Sequence, residues 1–250
     1  MKIDNLNVQV YRTRAEMGAA AAARVSEKID ELLQVQETVN IIFAAAPSQN
    51  EFLEALRQLP IEWSRIRAFH MDEYIGLPAD APQGFGNFLR ERLFDTVGFL
   101  SVHYIGGDAS ELEKECERYA SLLGRFPPDI VCMGIGENGH IAFNDPPVAD
   151  FSDPYMVKVV ELDPACRKQQ VNDGCFSELP LVPTHAITLT IPALMAGRFI
   201  YGIVPGGQKA EAVFNTLHRE IVKDYPASIL RNHEHAELFL DAFSAEKASL

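Results

Sequence analysis

The sequence predicts an α/β fold: one doubly wound, mostly parallel sheet with helices on both faces, a Rossmann-like three-layer sandwich. Three observations carry this expectation. Short apolar runs alternate along the chain with longer amphipathic stretches, the order that strand–helix–strand units produce. The run Asp129-Ile130-Val131-Cys132-Met133 is apolar without alternation, as befits a strand buried on both faces. Loops rich in glycine, proline or acids follow several of these runs, at the strand ends where α/β sheets place their ligands.

In chain order, about Arg12 to Val35 reads as a helix, with alanines at its middle and Val25, Ile29, Leu32 and Leu33 at helical spacing. Val39 to Ala44 reads as a buried strand, Ala45 to Asn50 as a turn, and Glu51 to Leu59 as an amphipathic helix with Phe52, Leu53 and Leu56 on one face. Ser48 and Asn50 are candidate caps of that helix, whose first N–H groups suit an anion such as phosphate; an ordinary N-cap explains the stretch equally well. Ile66 to Met71 is the next strand. Phe85 to Asp95 reads as a helix, Val102 to Ile105 as a short extended piece, and Ala109 to Gly124 as a charge-paired helix ended by its glycine.

After the central strand, Tyr155 to Val160 alternates as a strand. Asp163-Pro164 opens a helix with a cap followed by proline. Ala186 to Ile191 and Phe199 to Val204 are further strands, Gln208 to about Arg219 a helix, and Leu238 to Leu240 an edge strand. No internal repeat, low-complexity tract or long linker interrupts the pattern, so residues 1–250 are read as one domain.

Composition bounds function. Hydrophobic residues make up 47% of the 250, enough for a sizeable core. No apolar run nears the roughly 18 residues that a membrane span needs, and the start, Met1-Lys2-Ile3-Asp4-Asn5, lacks a signal region. A cytoplasmic protein with no membrane partner is expected. The net charge of −13 argues against non-specific nucleic-acid binding. An anionic small substrate would need a local cluster of basic groups and backbone donors. The four cysteines, Cys116, Cys132, Cys166 and Cys175, have no CxxC spacing, so reduced thiols and no metal site are expected.

Two loops carry candidate chemistry. Gly134-Ile135-Gly136-Glu137-Asn138-Gly139-His140 follows the central strand, with Asp145 five residues on. The glycines permit tight turns and close approach to a ligand, and imidazole can give and take a proton near neutral pH. The alternative is that His140 caps a turn and Asp145 opens the Asp-Pro turn beside it. The second loop begins with Asp72-Glu73 at a strand end. Adjacent side chains on an extended chain point opposite ways, so only one of these acids faces a cleft. Lys209, in the first turn of its helix, opposes the helix dipole and is expected to answer a negative ligand. Arg167 and Lys168 add a basic pair on the Asp163 helix, with a solvated face the stronger reading for Lys168.

Phe69-His70-Met71-Asp72-Glu73-Tyr74-Ile75-Gly76-Leu77-Pro78, the stretch from Gly134 to Pro146, and Pro205-Gly206-Gly207-Gln208-Lys209-Ala210 together resemble the glucosamine-6-phosphate deaminase family, related to the 6-phosphogluconolactonases. The likeness runs in order from about Val39 to Asp241. It implies conversion of a hexosamine 6-phosphate to a ketose 6-phosphate and ammonia, with no cofactor, in a protein that can form a homo-oligomer. Asp72 matches the base that carries a proton between C2 and C1, and His140 the group that assists ring opening. Asp145, where the family usually has Glu, would orient His140, and Lys209 matches a phosphate-binding lysine. The chain departs from the family at Asn138, where Asp is usual. It departs also at Ala45-Ala46-Pro47-Ser48, where a glycine-rich phosphate loop is usual, leaving Ala46 and Ser48 to face the phosphate. Gln170 stands at the position of a phosphate-binding Arg, with Arg167 one turn earlier. Hydrolysis of a sugar lactone, as in the related lactonases, and sugar-phosphate binding without catalysis are the competing expectations.

Overall fold

The computed structural model describes residues 1–248. Its strands and helices are, in order, β1 Lys2–Ile3, β2 Leu6–Tyr11, α1 Arg14–Leu33, β3 Val39–Phe43, α2 Asn50–Leu56, β4 Ile66–His70, β5 Asp72–Tyr74, α3 Phe85–Leu89 and β6 Ser101–His103. They continue with α4 Leu112–Arg125, β7 Ile130–Met133, β8 Val157–Glu161, α5 Pro164–Asn172, β9 His185–Leu189, α6 Ile191–Met195, β10 Phe199–Val204, α7 Ala210–His218 and β11 Ala236–Asp241. None of these helices is long and apolar enough to cross a membrane.

The main sheet runs β1-β2-β11-β10-β7-β3-β4-β6 and is parallel throughout except for β1, which pairs antiparallel with β2. The chain builds outward from β3 through β4 to β6, then returns to the other side of β3 with β7, β10 and β11. The crevice between the carboxyl ends of β3 and β7 is therefore a topological switch point, where open α/β sheets bind ligands.

Alternation along the central strands divides the apolar residues between two cores. Ile41, Phe43, Ile130 and Cys132 join the core beneath α1, α2 and α3, whereas Ile42, Val131 and Met133 join the one covered by α4, α6 and α7. Both faces of the sheet are thus buried, as the unbroken apolar runs of β3 and β7 require. At the start of α1 the Thr13 side chain accepts from the Glu16 N–H, and the Glu16 carboxylate accepts from Arg12 N. This reciprocal cap fixes the helix two residues later than periodicity alone suggests.

Five elements differ from the sequence expectation. Leu238 to Leu240 is not at an edge: β11 lies between β10 and β2, because residues 2–11, too short and polar to signal strands, add β1 and β2 outside it. The segments at 157–161 and 185–189 do not join the main sheet; they form a second, antiparallel sheet in the order β5-β9-β8. Gly124 lies within α4, which runs to Arg125. Residues 90–94 continue α3 as a wider, π-type turn.

Candidate active site

Loops from four neighbouring strands of the main sheet meet at the switch point. They line a cleft, partly open to solvent, with Ala46 and Ser48 after β3, Asp72 after β4, Gly136 and His140 after β7, Lys209 after β10, and Gln169 and Gln170 from α5. Asp72 and His140, far apart in sequence, thus face one cavity. Phe85 and Phe143, stacked with centroids 5.6 Å apart, form an apolar wall of the same cavity.

The two adjacent acids separate as extended backbone dictates. Glu73 turns away from the cleft and accepts three backbone N–H groups, from Tyr74, Phe85 and Gly86, at 2.8–2.9 Å. It is spent on holding the N-terminus of α3. Asp72 is buried, and among the described residues its carboxylate receives no hydrogen bond; only its backbone oxygen is engaged, by His70 Nδ1. Burial first, and the neighbouring Glu73 charge second, push the Asp72 carboxyl well above the usual carboxylate range. His70 itself is neutral and fully used: Nε2 accepts from Ile105 N at 2.9 Å, so the Nδ1 proton goes to Asp72 O.

His140 is held from behind. Its Nδ1 lies 2.8 Å from Asn138 Oδ1 and 2.9 Å from Asp145 Oδ1. Both are acceptors, so Nδ1 carries a proton, while Nε2 has no partner among the described residues and is left to the cleft. Asn138 also donates its side-chain N–H to Asp145 Oδ1 at 2.8 Å. A carboxylate at 138 would offer no such donor and would set a second negative charge against Asp145. Burial raises the Asp145 carboxyl, but the charge and hydrogen bond of His140 and the bond from Asn138 outweigh it and hold the group below its ordinary value.

The glycines of this loop have separate reasons. A Cβ at Gly136 would stand 2.1 Å from His140 Cε1, so the imidazole occupies the space of the missing side chain. Gly139 turns the chain at φ +87. Ala142, at φ +47, is a non-glycine residue in the left-handed region, a strain of about 1–3 kcal/mol. The next residues pay it back: Phe143 N donates to Thr188 Oγ1, and Asn144 Nδ2 donates to Ile141 O and Leu189 O.

At the other end of the cleft Lys209 is 3% exposed, and no carboxylate of the described residues lies within ion-pair distance of it. Burial lowers its affinity for its proton, partly offset by the more distant Asp173 and Glu137. Ser48 Oγ accepts from Gln49 Nε2, which leaves the hydroxyl proton free to point into the cleft.

Two expectations need correction. Arg167 does not face the cleft; its guanidinium donates to the carbonyls of Leu179 and Val182, one helix position having turned it onto the 179–182 segment. Ser48 and Asn50 do not cap α2, since Asn50 Oδ1 instead accepts from Arg92. Sequence reasoning missed Gln169, whose Oε1 accepts from Glu137 N at 2.8 Å and braces the histidine loop. It also missed Gln49, which bridges Ser48 to Ile203 O of β10. Neither residue type announces itself in an alternating pattern.

The sequence pattern of the family described as glucosamine-6-phosphate isomerases/6-phosphogluconolactonase matches residues 12–240. A glucosamine-6-phosphate deaminase of Bacillus cereus (strain B4264) is 34% identical over 236 residues, which are 94% of this chain and 87% of that protein. One of Bacillus thuringiensis (strain Al Hakam) is 33% identical over the same shares. Among solved structures, a monomeric glucosamine-6-phosphate deaminase superposes with a TM-score of 0.88 at 28% identity, over 96% of this chain and 99% of that one. A 6-phosphogluconolactonase from Thermotoga maritima shares the fold, with a TM-score of 0.77 at 20% identity over 94% and 99% of the two chains.

Proposed function

The chain belongs to the family of glucosamine-6-phosphate isomerases and 6-phosphogluconolactonases, and within it we propose that it is a deaminating aldose–ketose isomerase acting on a hexosamine 6-phosphate. The observation that carries this reading is the unpartnered, buried Asp72 carboxylate in the same cleft as a histidine whose Nε2 has no partner among the described residues. Lactone hydrolysis needs no carbon acid to be deprotonated, and would leave Asp72 without a task.

In this reading the sugar lies with its phosphate against Lys209 and the Ser48 hydroxyl, and its anomeric end between Asp72 and His140. His140 Nε2 takes the proton of the 1-hydroxyl and returns one to the ring oxygen, which opens the ring. Asp145 and Asn138 keep the Nδ1 proton in place and stabilise the charged ring that forms between the two transfers. Asp72 then removes the proton at C2 of the open-chain aldehyde and delivers it to C1. As O1 gains a proton and the amine nitrogen loses one, the enolamine becomes an imine at C2, and water releases ammonia from it. A base for this step must hold the proton between two carbons near neutral pH, and the buried environment that raises the Asp72 carboxyl suits it to that.

The test is ammonia release against a panel of hexosamine 6-phosphates, beside hydrolysis of 6-phosphogluconolactone. Ammonia with stoichiometric ketose 6-phosphate is the expected result. Lactone hydrolysis alone, or sugar-phosphate binding with no turnover of either, overturns the proposal.

A further inference from the structure

Behind the imidazole lies a cluster one member of which, the Cys166 thiol, the deamination chemistry leaves unused. A ring nitrogen of His140, a carboxylate oxygen of Asp145 and Sγ of Cys166 lie within 4.8 Å of one another, and no other trio of His, Cys, Asp or Glu among the described residues gathers so closely. The three come from two elements, the loop after β7 and the buried face of α5, so nothing in their sequence spacing announces them. Asp145 Oδ1 takes the hydrogen bonds from His140 and Asn138, while the buried Oδ2 has no partner. The Cys166 thiol sits beside that carboxylate without forming a well-directed hydrogen bond to it.

A thiol, an imidazole and a carboxylate are the donor set of zinc rather than of magnesium or calcium. Bonds of about 2.0–2.3 Å place tetrahedral ligand atoms roughly 3.5 Å apart, so each side chain needs to move by less than about 1 Å. We propose that His140 Nδ1, Asp145 Oδ2 and Cys166 Sγ form an inhibitory site for a thiophilic divalent cation, zinc above all. Binding moves the His140 proton from Nδ1 to Nε2 and drives the thiol proton to solvent. One proton is therefore released per cation, and no oxidation is involved. The nitrogen facing the cleft then carries a proton in place of a lone pair and no longer takes the proton of the 1-hydroxyl. Asp145 and Cys166 are each 1% exposed, so the cation enters only when the imidazole swings into the cleft. Inhibition is slow in onset, and a ligand in the cleft retards it.

The inhibitory half rests on the deaminase reading; the binding half does not, and the experiment separates them. Chelator-treated full-length protein is titrated with Co²⁺ and followed for thiolate-to-cobalt charge-transfer absorption, then with Zn²⁺ against a chromophoric chelator. The expected result is one cation per chain with the thiolate band and one proton released. In Cys166→Ala the band is lost and zinc affinity falls by about a hundredfold or more. Cys166→Ser, which keeps the volume, serves the same purpose if the alanine variant folds poorly. Both variants keep their ammonia release but lose the slow zinc inhibition. A wild-type protein with no thiolate band, or a band and affinity unchanged by Cys166→Ala, overturns the site. Absence of ammonia release with the cobalt result intact overturns the deaminase reading alone.

Discussion

Asp72→Asn is expected to stabilise the protein while disabling it. The carboxylate is 7% exposed, faces an apolar wall and receives no hydrogen bond among the described residues. Its folded carboxyl lies above its unfolded value, through burial and then the Glu73 charge. A carboxyl shifted in that direction favours the fold only below its unfolded pKa, and the contribution is lost as pH rises through the folded one. At pH 7 the side chain therefore supports the fold less than it does below its unfolded pKa. An amide of the same shape removes the charge, which is worth about 1–3 kcal/mol for a polar group buried without a partner. For a chain of 250 residues that is a rise in Tm of roughly 2–12 °C. The gain should shrink toward pH 4, where the wild-type carboxyl is protonated in the fold. Turnover should fall by at least about 10²–10⁴-fold, the contribution of a positioned general base. Thermal denaturation at pH 7 and pH 4, with a coupled ammonia assay, reads both. An unchanged or lowered Tm at pH 7 would refute the account of the carboxylate, and near-full turnover would refute Asp72 as the base.

Four further outcomes follow from the geometry. Gly136→Ala places a methyl group 2.1 Å from His140 Cε1 and so displaces the ring by more than about 1 Å; kcat should drop about 10²-fold with an unaltered circular dichroism spectrum. His70 is held by burial at a pKa of about 4 against an ordinary 6.5. Its stabilising effect is complete above pH 6.5 and is lost as pH falls toward 4, about 3 kcal/mol in all; urea midpoints across that window should show a slope that His70→Gln flattens. Lys209→Met should raise KM for the phosphorylated sugar by about 10–100-fold with a smaller effect on kcat, since it removes the one lysine or arginine among the described residues that line the cleft. Arg167→Ala should leave KM unchanged and lower stability by about 1–2 kcal/mol, because it strips donors from Leu179 O and Val182 O.

The main sheet was legible because its strands are buried on both faces, and the apolar runs of β3 and β7 are too short for helices and rich in β-branched residues. The acids and the histidine were legible because charged and titratable residues at the ends of such strands stand out against their surroundings. What escaped was decided by partners far off in sequence. β11 reads as an edge until β2, which is short and half polar, pairs beyond it. Arg167 and Gln170 lie three residues apart on one helix, and which of them faces the cleft depends on the 179–182 segment that claims the guanidinium. Cys166 looked like a packing residue, and only the folded loop brings Asp145 and His140 to it.

The second sheet is what makes two distant residues into one site. β5 leaves the main sheet directly after β4 and pairs with β9, with Asp72 opposite Thr188. Leu189 N reaches back to Met71 O at 2.8 Å, tying β9 to the residue just before Asp72. The same two residues of β9 grip the histidine loop: Thr188 Oγ1 accepts from Phe143 N, and Leu189 O accepts from Asn144 Nδ2. The strand carrying the acid and the loop carrying the imidazole are therefore fastened to one short piece of backbone, across which neither can drift without breaking buried hydrogen bonds. Gly136 makes room for the ring, Asn138 and Asp145 set its tautomer, and β9 sets its distance from the acid. The hexose that the proposed reaction places between them would meet both groups because the antiparallel pairing leaves each of them a single place to stand.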